Sequence, residues 1–70
     1  MPNLAAHITG TVVRIEKRAG DEVQAGEAVV ILESMKMEMP LEAEAGGRVK
    51  EVRVKEGQAV NEGDVLVVLE

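Results

Sequence analysis

The sequence contains two copies of one pattern, offset by 37 residues. Residues 10–33 align with residues 47–70 without a gap. The copies share glycines and apolar residues at matching positions: Gly10/Gly47, Val12/Val49, Gly20/Gly57, Val23/Val60, Gly26/Gly63, Val30/Val67 and Leu32/Leu69. A two-copy repeat predicts two similar structural units, here related by a pseudo-twofold axis.

Each copy predicts two longer strands with a short strand between them. The first strand is expected over about 11–17 and again over about 48–55. Its apolar residues are three apart rather than two, which indicates a bulge near 13–14 and 50–51. Next, a Gly-x-x-Val-x-x-Gly pattern predicts a turn, a short strand anchored by one buried valine, and a second turn. Each copy ends in an apolar run whose length and valine content favour a strand buried on both faces.

The composition supports an all-β fold. The 70 residues are expected to form one domain, residues 1–70. There is no cysteine, no aromatic residue and one histidine, so neither a disulfide nor a zinc site is expected. The core must come largely from 12 valines, whose branching at Cβ suits strands. With further strands at about 3–8 and 38–43, the count is about eight, which predicts a small flattened barrel or sandwich.

Charge and size exclude several functional classes. A net charge of −5 argues against nucleic-acid binding, which needs a basic face. No apolar run reaches the length of a membrane span, and the N-terminus lacks the features of a signal peptide. We therefore expect a cytoplasmic monomer, and Met1 with no linker favours a free-standing subunit. So small a core leaves little room for an enclosed substrate pocket, so an enzyme in its own right is the least favoured class.

Residues 34–46 lie between the two copies and have no counterpart in the second copy. The strand ending at Glu33 and a strand from about Glu38 are expected to pair as a hairpin, with Met35 and Lys36 as its two turn residues. Neither residue favours the positive φ that such a turn demands, so mild strain is expected. This position puts Lys36 on or near the symmetry axis, at the end opposite the C-terminus.

Lys36 is the candidate reactive group, because it is expected to protrude furthest from the domain. Four glutamates lie close to it in sequence: Glu33, Glu38, Glu42 and Glu44. Their field favours the charged ammonium, which is unsuited to a buried catalytic amine but compatible with an amine that another enzyme acylates. The alternative is an ordinary solvated turn lysine. Met35 and Met37 are hard to explain by packing at a turn, and exposed they would form a small contact patch.

The segment Glu33-Ser34-Met35-Lys36-Met37-Glu38 resembles the biotin attachment motif of biotin carboxyl carrier domains, usually Glu-Ala-Met-Lys-Met-Glu. The resemblance extends over residues 10–70. It includes Gly-Asp-x-Val-x-x-Gly at 20–26 and Val-Lys-Glu-Gly-x-x-Val-x-x-Gly at 54–63. It implies a flattened barrel-sandwich hybrid of two four-stranded antiparallel sheets related by a twofold axis.

The same resemblance implies a carrier rather than an enzyme. A biotin protein ligase would join biotin to Lys36, and the arm would move a carboxyl group from a biotin carboxylase to a carboxyltransferase. Met35 and Met37 match the flanking methionines linked to recognition by the ligase and the partner enzymes. Glu33, Ser34 and Glu38 complete the implied tip. The carrier supplies reach and effective concentration while its partners hold the chemistry.

Several features depart from the biotin carrier pattern. Ser34 stands where alanine is commoner. The segment usually written Ala-Pro-Met-Pro-Gly is Ala6-His7-Ile8-Thr9-Gly10 here, so the path of the first strand is expected to differ, with His7 at the surface. No segment is inserted that could form the thumb of some acetyl-CoA carboxylase carriers.

Two alternatives to a biotin carrier remain. The start of the chain, residues 1–4, is similar to the opening of lipoyl domains of 2-oxo acid dehydrogenases, which share the fold but usually carry Asp-Lys-Ala at the tip. Lipoate on Lys36 is therefore the alternative cofactor. The other alternative is an unmodified structural module, as in membrane-fusion adaptors of export pumps. Such a module has no reason to keep Met-Lys-Met at the tip.

Overall fold

The computed structural model describes residues 3–70, which form strands joined by turns and short loops. The eight strands are β1 (Asn3–Ala5), β2 (Gly10–Ile15), β3 (Glu22–Val23), β4 (Ala28–Ser34), β5 (Met37–Glu42), β6 (Gly47–Val52), β7 (Ala59–Val60) and β8 (Val65–Leu69). Within residues 3–70 there is no helix that is long and apolar enough to cross a membrane.

The strands form two four-stranded antiparallel sheets, with the orders β1-β8-β6-β3 and β5-β4-β2-β7. Adding 37 to the residue numbers carries β2, β3 and β4 onto β6, β7 and β8, and β1 onto the second half of β5. Each sheet is therefore the counterpart of the other. The predicted all-β barrel-sandwich hybrid with an internal pseudo-twofold repeat is confirmed.

The repeat is longer in the structure than in the sequence alignment. In β1, Asn3 lies opposite Val68, and the corresponding residues Pro40 and Ile31 lie opposite one another in β5 and β4. Residues 40–46 are thus the counterpart of residues 3–9, which precede the first copy. The repeat therefore extends into the segment 34–46, although that segment has no counterpart within residues 47–70. The similarity is weak in sequence because β1 and β5 are edge strands. Few positions in or next to these strands face the core. The matching buried residues are Leu4 and Leu41 within the strands, and Ala6 and Ala43 just after them.

Bulges in the longer strands determine which residues face the core. The pairing of β2 with β4 shifts between Val12 and Arg14, and that of β6 with β8 shifts at the corresponding place, as the sequence predicts. A second bulge, between Ala28 and Val30, explains the apolar run of β4. It allows the consecutive residues Val29 and Val30 both to be fully buried in the core. Ile31 is buried as well, although it is not part of the core cluster, so this stretch of β4 is covered on both faces as expected.

Four turns of one design join the longer strands to the short ones. They span residues 18–21, 24–27, 55–58 and 61–64. In each, the third residue is a glycine with φ between 85° and 95°. A positive φ favours glycine, because glycine has no Cβ. In the first turn, the N–H of Asp21 donates to the carbonyl of Arg18 at 3.0 Å. The Asp21 carboxylate in return accepts from the N–H of Arg18 at 2.8 Å, so the turn is closed twice.

The core lies between the two sheets and is aliphatic. Its fully buried side chains are Val12, Val29, Val30, Leu32, Val49, Leu66 and Val67. No charged or polar side chain is buried among residues 3–70. The first strands of the two copies end earlier than predicted, at Ile15 and Val52, because the chain then crosses from one sheet to the other. β1 is likewise shorter than the expected 3–8.

Candidate functional site

The site begins with the hairpin formed by β4 and β5, the longest pair of adjacent strands in the molecule. The strands pair from Ala28 opposite Glu42 to Ser34 opposite Met37. Met35 and Lys36 are the two residues of the turn, as predicted, and they project beyond the last pair. Because the strand pairing continues up to the turn, the position of Lys36 is set by the sheet rather than by a flexible loop.

The turn has a left-handed backbone. Met35 has φ of 56° and Lys36 has φ of 66°, and these are the residues other than glycine with positive φ in the described part of the chain. Two positive φ values define a type I′ turn, whose twist matches that of the strands and which favours asparagine and glycine. For a residue with a Cβ, this region costs about 1 kcal/mol or more. The turn therefore has Met35 and Lys36 at two positions where Asn-Gly would make the fold more stable.

Lys36 is exposed at this tip. Among residues 3–70 the ion pairs are Arg14 with Glu16 and Lys17 with Glu27, so the ammonium of Lys36 has no carboxylate within 4.0 Å. None of the four surface hollows is lined by residues 33–39. Among residues 3–70, the amine is thus exposed and lies outside these four hollows.

Met35 and Met37 flank the lysine and are the large apolar side chains most open to solvent in the described residues. Met35 is 91% exposed and Met37 is 62% exposed. Both lie at the tip, whereas the rest of the apolar content is mainly buried. An apolar pair of this kind is typical of a contact surface, because water-exposed thioether side chains adapt readily to a partner.

The glutamates predicted near Lys36 separate into two groups. Glu33 and Glu38 are exposed and lie directly opposite one another at the base of the turn. Glu42 and Glu44 lie at the other end of β5, where Glu44 lines the same hollow as Asn3 and Glu70. Ser34 is half-buried and closes the turn opposite Met37.

This geometry corrects the expectation that Lys36 lies near the symmetry axis. Glu33 lies next to the turn, whereas Glu70 lines a hollow with Glu44, beyond the other end of β5. The twofold axis exchanges Glu33 with Glu70, so it passes between the two ends of the hairpin and not through the tip. The lysine is three residues beyond Glu33, at the far end from the C-terminus, as expected, but well away from the axis. The position matching Lys36 would fall beyond residue 70.

The base of the hairpin involves a residue that the sequence did not identify as part of the site. Gly10, at the start of β2, lies so close to β4 that a Cβ on it would overlap the carbonyl oxygen of Glu33. The same added atom would lie 3.5 Å from Cβ of Ser34. The signal available in the sequence was the match of Gly10 with Gly47, at a position where neither glycine is in a turn.

The pKa of one carboxyl group is shifted, and it lies away from the tip. The backbone N–H of Gln24 and the Lys17 side chain both donate to Glu27, at 2.9 and 3.1 Å. These contacts lower the pKa of Glu27 below its ordinary value of 4.5, the backbone hydrogen bond having the larger effect. The group stabilises a turn and has no place in the chemistry of the site.

Several known proteins are similar to this chain in sequence. A protein of Bacillus subtilis described as a biotin/lipoyl attachment protein is 48% identical over 66 residues, covering 94% of this chain and 90% of that protein. Pyruvate carboxylase of B. subtilis is 38% identical over 68 residues, but this chain spans only 6% of its length. A third relative, from Cupriavidus necator, is a dihydrolipoyllysine-residue acetyltransferase component of the pyruvate dehydrogenase complex. It is 41% identical over 70 residues, and this chain spans 13% of its length.

Solved structures include the same fold within larger enzymes. Urea carboxylase of Kluyveromyces lactis contains a segment that superposes with a TM-score of 0.93 and 35% identity, covering 99% of this chain and 6% of that one. The family described as "Biotin-requiring enzyme" matches residues 1–69. This chain therefore belongs to the family of biotin/lipoyl attachment domains.

Proposed function

We propose that this chain is a biotin carboxyl carrier, in which a biotin protein ligase joins biotin to Nζ of Lys36 through an amide bond. The observation that carries the proposal is the placement of a freely exposed lysine between two exposed methionines, on a turn fixed by paired strands. Attached biotin supplies a ureido ring that carries a carboxyl group.

The residues of this chain have the role of holding and presenting the arm. Acylation removes the positive charge of Lys36 and leaves its side chain as part of a longer tether. Two strands anchor that tether, so the domain adds reach without adding a flexible loop. The carboxyl group would be added at a biotin carboxylase and delivered at a carboxyltransferase, and none of the four hollows formed by residues 3–70 is lined by residues of the tip. The similarity to pyruvate carboxylase supports this assignment.

The exposed methionines are proposed to contact the ligase and the two partner enzymes. Met35 and Met37 form an apolar surface on either side of the amine, and the carboxylates of Glu33 and Glu38 lie just below it. A partner therefore meets an apolar centre beside a negative base. This combination gives a protein surface that can be recognised without any change in the sheet.

Lipoate is the second candidate cofactor. It is supported by the 41% identity to the dihydrolipoyllysine-residue acetyltransferase component. The exposed amine would suit either acyl group, because both join lysine through an amide. The Met-Lys-Met tip favours biotin.

The test is an intact-mass spectrum of the protein isolated from its native source. One biotinyl adduct, absent from Lys36→Ala, is the expected result. Lys50→Ala is the matched control, because Lys50 is an exposed strand lysine outside the tip and should leave the adduct in place. A lipoyl adduct would identify lipoate rather than biotin as the cofactor. The absence of any adduct would refute the carrier function.

A further inference from the structure

The internal symmetry provides a built-in comparison between the two ends of the molecule. At the tip end, Gly10 lies against the carbonyl of Glu33, and at the other end Gly47 lies against the carbonyl of Glu70. An added Cβ on Gly47 would lie 2.9 Å from the Glu70 oxygen, whereas one on Gly10 would overlap the Glu33 oxygen. The approach is therefore closer at the end that carries the lysine.

The adjoining loop also differs between the two ends. Ile8 precedes the tip-end contact and packs partly buried against the core. Its counterpart is Ala45, which is exposed and lines a hollow of about 70 Å³ with residues of β1 and β8. Among residues 3–70, the tip end is thus filled by a large side chain where the opposite end has a hollow.

We infer that Ile8 and Gly10 are positioning residues for the hairpin that presents Lys36, an inference that rests on the proposed function. Ile8 fixes the loop against the core, and Gly10 lets the start of β2 reach the backbone of Glu33. Glu33 is followed directly by Ser34, which closes the turn. The two residues therefore set the orientation of the turn without contacting the lysine.

The positioning role is separable from general stability because the symmetry supplies a matched variant. Gly10→Ala forces the backbone of Glu33 to move, and Gly47→Ala forces the same kind of shift at Glu70, far from the tip. Both variants have a methyl group added at equivalent strand positions. A residue that matters only for folding lowers the free energy of unfolding according to its overlap but leaves the folded tip unchanged, whichever end it lies at.

The experiment compares wild type with Gly10→Ala, Ile8→Ala and Gly47→Ala under conditions in which urea titration shows each to be fully folded. The first measurement is NMR of the methionine methyl groups, in which Met35 and Met37 report the turn directly. The second is the kcat/KM for biotinylation by a purified biotin protein ligase. Misplacement of a reacting group by about 1 Å can reduce a rate by up to roughly 100-fold, so a loss of 10-fold or more is expected for Gly10→Ala.

Support requires that Gly10→Ala and Ile8→Ala shift the Met35 and Met37 methyl resonances and lower kcat/KM, while Gly47→Ala leaves both unchanged. Equal effects of Gly10→Ala and Gly47→Ala, or unchanged tip resonances in both tip-end variants, would overturn the inference. If Gly10→Ala does not fold, the comparison of Ile8→Ala with Gly47→Ala decides whether the inference holds. If wild type accepts no biotin, the proposed function fails, and the methyl resonances alone still decide whether these residues position the turn.

Discussion

The carboxylates of Glu33 and Glu38 lie directly opposite one another across the hairpin, on the pair of residues next to the turn-closing pair Ser34 and Met37. Like charges placed directly opposite on neighbouring strands are destabilising. Both side chains are exposed, so water and salt weaken the repulsion without removing it. The base of the tip thus keeps a charge arrangement that folding alone does not favour.

Removing one of these charges is expected to stabilise the fold. Glu38→Gln should raise the free energy of unfolding by about 0.2–1 kcal/mol, measured by urea titration at low salt. Glu42→Gln is the control, since Glu42 lies opposite Ala28 on the same pair of strands. The gain should shrink in high salt. An equal gain for both variants would show that the effect comes from net charge rather than from the opposed pair.

Substitution of the two turn residues should give a larger gain in the free energy of unfolding. Replacing Met35-Lys36 by Asn-Gly gives the residues that a type I′ turn prefers, and it relieves positive φ at two residues that have a Cβ. We expect about 1 kcal/mol of added stability, which raises Tm by about 4–8 °C for a domain of this size. Because Lys36 is the proposed attachment site, the double variant should also gain no biotinyl or lipoyl adduct. A Tm at or below that of wild type would contradict the assignment of strain to this turn.

The glycine turns should be sensitive to substitution at both symmetry-related positions. Gly26 and Gly63 have φ of 85° and 94°, and an added Cβ would meet no atom within 4 Å at either. Gly26→Val and Gly63→Val should therefore lower the free energy of unfolding by about 1–2 kcal/mol through backbone strain alone. Asparagine at the same positions should cost less, because it tolerates positive φ. Unchanged thermal midpoints for the valine variants would argue against these turns.

Glu27 should make stability depend on pH. Its pKa is lowered in the folded protein, so its charged form stabilises the fold above its ordinary pKa of 4.5, and that contribution is lost as the pH falls through the lower folded value. Glu27→Gln keeps an acceptor for the N–H of Gln24 but removes the charge. The difference in Tm between wild type and this variant should be constant near pH 7 and shrink below about pH 4.5.

Glu44→Gln provides the comparison for that experiment, since the Glu44 carboxylate accepts no hydrogen bond among the described residues. Its Tm difference from wild type should not follow the same profile. A matching profile for the two variants would assign the pH dependence to overall charge.

The hollow at the C-terminal end should accept a larger side chain. Ala45→Ile would place there the residue that its counterpart, Ile8, supplies at the tip end. Filling such a space is expected to add about 0.5–2 kcal/mol to the free energy of unfolding. Ala25→Ile is the control, because Ala25 is exposed in a turn and lines none of the four hollows. Equal Tm values for Ala45→Ile and wild type would show that the hollow does not accept the side chain.

Much of this architecture could be predicted from residue types that act locally. The glycines of the four turns determine their positive φ values, and the single valines Val23 and Val60 between them are buried as expected. The apolar spacing in β2 predicted its bulge correctly. These features depend on backbone sterics and on strand periodicity, both of which operate over a few residues.

The extent of the repeat could not be predicted in the same way. Residues 3–9 and 40–46 share few residue types, because an edge strand with a short inward face needs only a few matching side chains. Their equivalence appears only when Asn3 and Pro40 are seen to pair at the same register in their own sheets. The role of Gly10 was missed for a related reason, since its closeness to Glu33 depends on contacts between separate strands.

The sequence by itself determined the β class, the turns, the position of the hairpin and the identity of its exposed lysine, because these follow from local backbone preferences and the patterning of apolar residues. The tertiary structure decided how the two copies assemble, that the lysine lies at an end rather than on the axis, and that Gly10 and Ile8 underlie only that end. Those outcomes depend on contacts between residues distant in sequence, where close packing of backbone and side chains selects one arrangement.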